Sequence, residues 1–332
     1  MQLTPPSEDA LPEASTVVAL PDELLQLIFK QACNVLDPGA AVAFSSASHG
    51  LWAATQALLP QLKADHEAAA AFCRKLGMRG CKELREAKEV DCWYHRGLTA
   101  IELGLLLTLG SVLPALETLA LYEPTAGPDA MQRLTAGLGA GALPAVSWLQ
   151  ICLQMGNAGA WALATALGQG AMPRLKHLHL SHSAIGDAGL VALAPAFRRL
   201  PALKALGLQA NPLGDEGLAA LVLAPSPPAG APPPATGAIQ SEAGAPAGTS
   251  TAAAGRPPTG VLTNLQRLYL SYTQITDAGC AALTAALESG ALPALERPYL
   301  RDILASDAAL AAVYEALDKR AHDESDSESE SE

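Results

Sequence analysis

The sequence predicts an α/β solenoid, a stack of short strand–helix units whose parallel strands form a sheet on the concave face. An apolar phrase of the form Leu-x-x-Leu-x-Leu returns seven times, with gaps of 29, 30, 29, 28, 62 and 30 residues. Periods of this size indicate stacked repeat units. Within a unit, the apolar spacing then changes from the period of a strand to that of a helix. The seven units begin at Ala87, Leu116, Val146, Leu175, Leu203, Leu265 and Leu295.

The three clearest units begin at Leu175, Leu203 and Leu265 and align without gaps. Their period-two leucines point into the core, and the apolar residues of the second half face back onto the strand. A small polar residue between the halves can hydrogen-bond buried backbone, and a glycine after it permits close packing where the helix begins. These units resemble the leucine-rich repeat of the ribonuclease-inhibitor type, which implies a curved solenoid over residues 87–320. The polar residues are Ser183, Asn211 and Thr273.

The last unit departs from the pattern. Pro298 replaces its second leucine and removes a strand N–H. Val313 and Leu317 nevertheless keep the helical positions of the clear units. We therefore expect residues 295–320 to form a terminal cap over the open end of the stack.

One insertion accounts for the long gap of 62 residues. Residues 225–260 contain nine prolines, six glycines and only two charged residues, Glu242 and Arg256. Such a composition cannot bury enough apolar surface to become ordered. We expect this segment to be a disordered loop, with the strands on either side of it still paired.

Composition limits the class of protein. The chain of 332 residues is 50% hydrophobic, and its six cysteines show neither a C-x-x-C motif nor paired spacing, as suits a reducing compartment. Residues 1–16 are expected to be disordered and lack the features of a secretory signal. The apolar run 98–113 contains Glu102 and is too short to span a bilayer. We expect a cytoplasmic or nuclear protein with no membrane contact.

The acidic end carries half of the net charge of −12. Residues 321–332 contain six acidic residues and no Lys or Arg. This predicts a disordered tail, and its alternating serines fit the substrates of acidophilic serine kinases. Nothing in the charge pattern favours nucleic acid.

The amino-terminal part predicts a small helical domain over residues 17–60. The phrase Leu-Pro-x-Glu-Leu-Leu-x-x-Ile-Phe at 20–29 and Leu-Asp-Pro at 36–38 resemble the F-box. The resemblance implies that a Skp-type linker subunit binds here, while Phe29 and Trp52 hold the helices together. A helical cap for the first repeat is the alternative, and residues 61–86 are expected to be a helical connector. The linker-binding residues would be Leu20, Pro21, Leu24 and Ile28.

The concave face is the predicted partner surface. The third, fifth, seventh and eighth positions of the seven units give 28 sites, and seven of the 14 aromatic residues fall there, against roughly one by chance. We expect Tyr269 and Tyr272 to be largely exposed. The candidate residues are Trp93, Tyr94, Tyr122, Trp148, His177, His179, His182, Arg267, Tyr269, Tyr272, Arg297, Tyr299 and Arg301.

Charge is polarised along this face, and no catalytic motif accompanies it. Glu89 and Asp91 lie in the first unit, and the arginines lie in the last two. His177 and His179 are close enough to share a metal, but no carboxylate or thiolate joins them in sequence, so we predict no metal or cofactor. Nucleophile elbows, phosphate loops and His-Glu-x-x-His motifs are absent from the sequence. The chain is not expected to be an enzyme.

The F-box resemblance implies a substrate receptor of a Skp–cullin–F-box ubiquitin ligase. The helical domain would bind the linker subunit, and the concave face would bind a protein substrate whose identity the sequence does not reveal. A regulator similar to the Ran GTPase-activating proteins, which pair such repeats with an acidic tail, is one alternative. A plain scaffold with a helical cap is the other.

Overall fold

The computed structural model describes residues 20–92, 102, 113–123, 141–223 and 262–329, and within these the predicted solenoid is present. Seven strands form one sheet in which every neighbouring pair is parallel and the spatial order follows the chain. The strands are β1 (Glu89–Asp91), β2 (Thr118–Glu123), β3 (Trp148–Leu153), β4 (His177–His179), β5 (Ala205–Gly207), β6 (Arg267–Tyr269) and β7 (Arg297–Tyr299).

The helices of the described residues fall into two groups. Five precede the sheet: α1 (Asp22–Ala32), α2 (Gly39–Ser46), α3 (His49–Thr55), α4 (Leu59–Lys75) and α5 (Cys81–Glu86). Five follow strands of the sheet: α6 (Gly156–Gly168), α7 (Asp187–Phe197), α8 (Asp215–Val222), α9 (Asp277–Glu288) and α10 (Asp307–Ser329). Among the described residues, no helix is long and apolar enough to cross a membrane.

The strand register confirms the repeat spacing. Leu178 pairs with Leu206, which pairs in turn with Leu268 across the long gap. β5 and β6 are therefore direct neighbours, although the predicted insertion separates them in sequence. The insertion, residues 225–260, lies outside the described residues.

Each clear unit buries its predicted apolar residues. In the unit that begins at Leu175, the strand leucines Leu178 and Leu180 are fully buried, and so are Leu193 and Phe197 of α7. The helices pack in sequence order, α6 on α7, α7 on α8, α8 on α9 and α9 on α10. One continuous core therefore runs the length of the stack.

α4 and α5 close the first end of the solenoid. Phe72 of α4 and Leu84 of α5 belong to the core of the repeats. A second, smaller core holds Phe29, Ala41, Leu59 and Leu62, with Trp52 packed against it. The predicted role of Phe29 and Trp52 in holding the helices together is consistent with this packing.

The last unit forms the cap predicted from its sequence. Val313 and Leu317 are buried. The hydrogen bonds between β7 and β6 use the Arg297 N–H and the Tyr299 carbonyl, so Pro298 removes none of them. One expectation is corrected, because α10 continues to Ser329 through most of the tail assigned to disorder. Extending a helix that is already nucleated on a buried face costs little. Residues 330–332 lie outside the described residues.

Candidate functional site

Buried polar side chains, Ser183, Asn211 and Thr273, hydrogen-bond the turns that follow β4, β5 and β6. Asn211 accepts hydrogen bonds from the backbone N–H groups of Ser183 and Ile185, both at 3.0 Å. Its amide nitrogen donates to the carbonyls of Leu180 at 2.7 Å and Leu208 at 2.8 Å. The sequence predicted a polar residue that hydrogen-bonds buried backbone here. The structure adds that these bonds join two neighbouring units.

A second ladder of polar side chains, which the sequence analysis missed, runs along the starts of the helices. Asp187 Oδ1 accepts from the N–H groups of Gly214 at 2.7 Å and Gly217 at 3.0 Å. Asn157, Asp215 and Asp277 make equivalent contacts to the next unit. A Cβ on Gly217 would lie 2.7 Å from Asp187 Oδ1. The repeated glycine therefore leaves room for the carboxylate of the preceding unit. Asp or Asn at the same place in successive units is the signal that could have revealed this ladder.

Four aromatic rings form a continuous row across the concave face, which we call the aromatic row: Trp148, His179, Tyr269 and Tyr299. Trp148 stacks on His179 with ring centroids 5.0 Å apart, and Tyr269 stacks on Tyr299 at 4.4 Å. The two pairs meet at His179 and Tyr269, whose ring centroids are 5.7 Å apart.

Gly207 makes the middle of this row possible. It lies on β5 between His179 and Tyr269, and a Cβ at this position would lie 2.4 Å from His179 Nδ1. The missing side chain therefore lets the imidazole lean across one strand to reach the next aromatic ring. Gly207 occupies one of the 28 positions predicted to face a partner, and no sequence pattern indicated its role.

The histidines of β4 are held in their neutral form. Burial, His177 and Arg267 lower the pKa of His179 to about 4. Burial lowers the pKa of His177 as well, with further contributions from Arg267, Lys176 and Lys204. Both rings are therefore uncharged at neutral pH. His182 is exposed beyond the end of β4. Within the described residues, no group of three or more possible ligands could hold a metal ion.

The other predicted surface residues vary in exposure. Tyr272 is 58% exposed, as expected, and Arg297 and Arg301 are exposed too. Tyr269 corrects the expectation of a largely exposed side chain, since it is half-buried by the ring of Tyr299. Tyr122 is half-buried on β2, and Trp93 and Tyr94 lie outside the described residues.

The predicted linker-binding residues lie together on α1 and the residues just before it. Leu20, Leu24 and Ile28 are 40–45% exposed and Leu27 is 52% exposed, whereas Phe29 is buried on the opposite side. Pro21 is exposed at the start of the helix. These residues, with Leu27 added, form an exposed apolar surface that we call the α1 stripe.

Burial raises the pKa of five of the six cysteine thiols, Cys33, Cys73, Cys92, Cys152 and Cys280. All six are free thiols. Burial, together with the neighbouring Cys81, raises the pKa of Cys73 to about 12, and burial with nearby Asp91 does the same for Cys92. Protonated, buried thiols are weak nucleophiles and weak metal ligands.

Comparison with known proteins agrees with the class that this architecture defines, a repeat solenoid. The Leucine Rich repeat family matches residues 172–194, 200–222 and 261–283, the three clearest units. No curated protein matches the sequence. Internalin C2 from Listeria monocytogenes is a similar solved structure, with 17% sequence identity, a TM-score of 0.37 and coverage of 74% of this chain and 88% of its own.

The three matched units are therefore leucine-rich repeats, and the neighbouring strands continue the same parallel sheet.

Proposed function

We propose that the chain is the substrate receptor of a Skp–cullin–F-box ubiquitin ligase. The α1 stripe binds the Skp-type linker subunit, and the concave face of the repeats binds the substrate. The protein catalyses nothing itself, and raises the local concentration of the substrate beside the ligase. Such a role places it in the cytoplasm or nucleus.

The observation that carries this proposal is the exposure of the α1 stripe. Leu24, Leu27 and Ile28 lie on one side of α1, while Phe29 anchors the other side in the small core. Adjacent exposed leucines and isoleucines on one helix are typical of a protein contact. They belong to the same sequence phrase that resembles the F-box.

The packing argues against a plain cap as the whole role of these helices. α4 and α5 already cover the end of the solenoid through Phe72, Cys73 and Leu84. The α1–α3 region is joined to this cap by Leu36, which is buried in the core of the repeats, and by the ion pair of Arg85 with Asp37 at 2.8 Å. The α1 stripe is therefore not needed to close the stack, and a partner is the better explanation of its apolar surface.

Binding to a purified Skp-type linker subunit tests the first half of the proposal. The variant Leu24→Asp/Ile28→Asp places two charges in the contact and should abolish binding. The matched control Ala64→Asp/Ala68→Asp puts the same charges, with the same spacing, on exposed positions of α4. Equal binding by both variants, or no binding by the wild type at micromolar concentration, would contradict the proposal.

Truncation of aromatic residues tests the second half. Tyr272 is 58% exposed, so Tyr272→Ala should leave the urea midpoint unchanged. It should weaken the binding of a captured partner by about 1–3 kcal/mol. Tyr269→Ala should weaken binding as well but also lower stability, because its ring stacks on Tyr299. Tyr314→Ala, an exposed tyrosine on α10, is the control. Unchanged affinity in the Tyr269→Ala/Tyr272→Ala variant, with the fold intact, would place the partner elsewhere.

A further inference from the structure

We infer that the concave face recognises an acidic, extended segment of its partner, and that four cations at the edge where the strands begin make this contact. The inference rests on the proposed function in one respect, that the concave face binds a protein. It adds the chemical class of that protein's recognised segment. We call the four cations the basic strip: Lys176, Lys204, Arg267 and Arg297.

The fold aligns the basic strip across four neighbouring strands. Lys176 and Lys204 directly precede β4 and β5, and the Lys204 N–H donates to the Lys176 carbonyl at 2.7 Å. Arg267 and Arg297 begin β6 and β7 and are paired with each other in the register. Parallel strands lie about 4.8 Å apart, so the strip is roughly 14 Å long. Four to five residues of an extended chain cover that length at about 3.3 Å per residue.

Among the described residues, none of these four cations forms an ion pair, although Glu296 directly precedes Arg297. The ion pairs nearby use other groups, because Lys88 pairs with Glu117 at 3.3 Å and Arg301 with Asp302 at 3.2 Å. Lys176, Lys204 and Arg297 are exposed, and Arg267 is half-buried beside the aromatic row. The strip is therefore a line of positive charge open to a ligand.

The cations act on the same part of the face. Lys176 directly precedes His177, and the register joins His177 through Ala205 to Arg267, so these cations lie close to the His177 ring. Together with Lys204 they add to burial in lowering the pKa of His177. Trp148 stacks against His177 with centroids 4.8 Å apart. A segment lying on the strip would meet carboxylate-binding cations and aromatic surface together, which is a common composition for a protein contact.

The shape of the strip favours a short peptide over a nucleic acid. Acidic residues interrupt the positive charge at this edge, because Glu296 directly precedes Arg297 on β7 and Glu117 precedes β2. A nucleic acid would need positive charge that continues along its backbone. Lys176 also lines, with Arg174, Ser147 and Glu117, a depression of about 340 Å³ at the same edge, which can receive a serine side chain of the peptide.

Fluorescence anisotropy with the full chain tests the inference. The probe is a fluorescein-labelled peptide of alternating Glu and Ser, compared with the same peptide carrying Gln for Glu. We expect the acidic peptide alone to bind, and raising NaCl from about 50 to about 300 mM should weaken it. The variant Arg267→Gln/Arg297→Gln should lose roughly tenfold in affinity. The control Arg79→Gln/Lys319→Gln removes the same charge from exposed positions outside the strip and should bind like wild type.

Four outcomes would overturn the inference. The first two are equal affinity for the neutral and acidic peptides, and an equal loss of affinity in the control variant. The third is tighter binding of a labelled single-stranded oligonucleotide than of the peptide. The fourth is peptide binding that is seen only after the chain's own acids in residues 321–332 are replaced by Gln and Asn. The last would make the tail, not a partner, the occupant of the strip.

The test separates this inference from the proposed function. If a captured partner is lost on Tyr272→Ala while the acidic peptide never binds, the concave face still binds a protein and only the acidic class is wrong. If the peptide binds as expected but no linker subunit does, the basic strip stands without the ligase role.

Discussion

Replacing Asn211 by Ala removes the most connected buried side chain of the repeats. Asn211 is 2% exposed and makes four hydrogen bonds of 2.7–3.0 Å to backbone groups of two units. Each such bond contributes about 1 kcal/mol net, and leaving its backbone partner unpaired in the core costs at least as much. The four together predict a loss of about 4 kcal/mol in the free energy of unfolding.

Urea unfolding followed by far-ultraviolet circular dichroism measures this loss. Two milder variants give the scale. Thr273→Val removes one hydroxyl bond, from Thr273 Oγ1 to the Leu270 carbonyl at 2.7 Å, and should cost about 1 kcal/mol. Asn264→Ala removes one exposed bond to the Pro201 carbonyl at 2.7 Å and should cost about 0.5 kcal/mol or less.

The order of the three stability losses tests the contribution assigned to Asn211. A loss below about 1.5 kcal/mol for Asn211→Ala, or one no larger than that of Thr273→Val, would show that water replaces the amide without penalty. The turn between strand and helix would then owe its shape to the backbone and the leucines alone. If Asn211→Ala does not fold at all, the two milder variants still test the value assigned to a single bond.

Three further predictions concern the aromatic row, the helix ladder and the insertion. Gly207→Ala should displace the His179 ring and lower the free energy of unfolding by about 1–3 kcal/mol in a urea titration. Because His179 stacks on Trp148, the tryptophan fluorescence should change too, and an unchanged spectrum would count against the prediction. The pKa of Asp215 is raised by burial but lowered more strongly by hydrogen bonds from Thr276 and Gly279, so it falls below its usual value in the folded state. Its contribution is therefore present near neutral pH and lost as pH falls below about 4, and the urea midpoint of the wild type should drop more steeply there than that of Asp215→Asn; parallel pH profiles would refute this. Replacing residues 226–259 by a short Gly/Ser turn should leave the melting temperature nearly unchanged, because loop closure depends weakly on length, whereas a loss of several degrees would mean that the insertion packs on the solenoid.

The repeat architecture follows from short-range information in the chain. The period of the leucines sets both the strand register and the change to helix, because one apolar face must be buried against the next unit. The same period located the degraded last unit, where Val313 and Leu317 kept their places despite Pro298. The polar residue of each turn was also predictable, since a buried turn needs a hydrogen-bonding side chain of small size.

The tertiary structure decided which residues act together. His179 reaches Tyr269 only because Gly207 lies between them on β5, and the ladder of Asp187 and its equivalents joins residues 27 to 64 apart in sequence. It likewise decided that the α1 stripe stays exposed while α4 and α5 close the core, and that α10 continues to Ser329. These contacts depend on how distant units are packed against one another. A local pattern of residue types determines the period of a solenoid, but the neighbours of a side chain across the sheet exist only once the units are stacked.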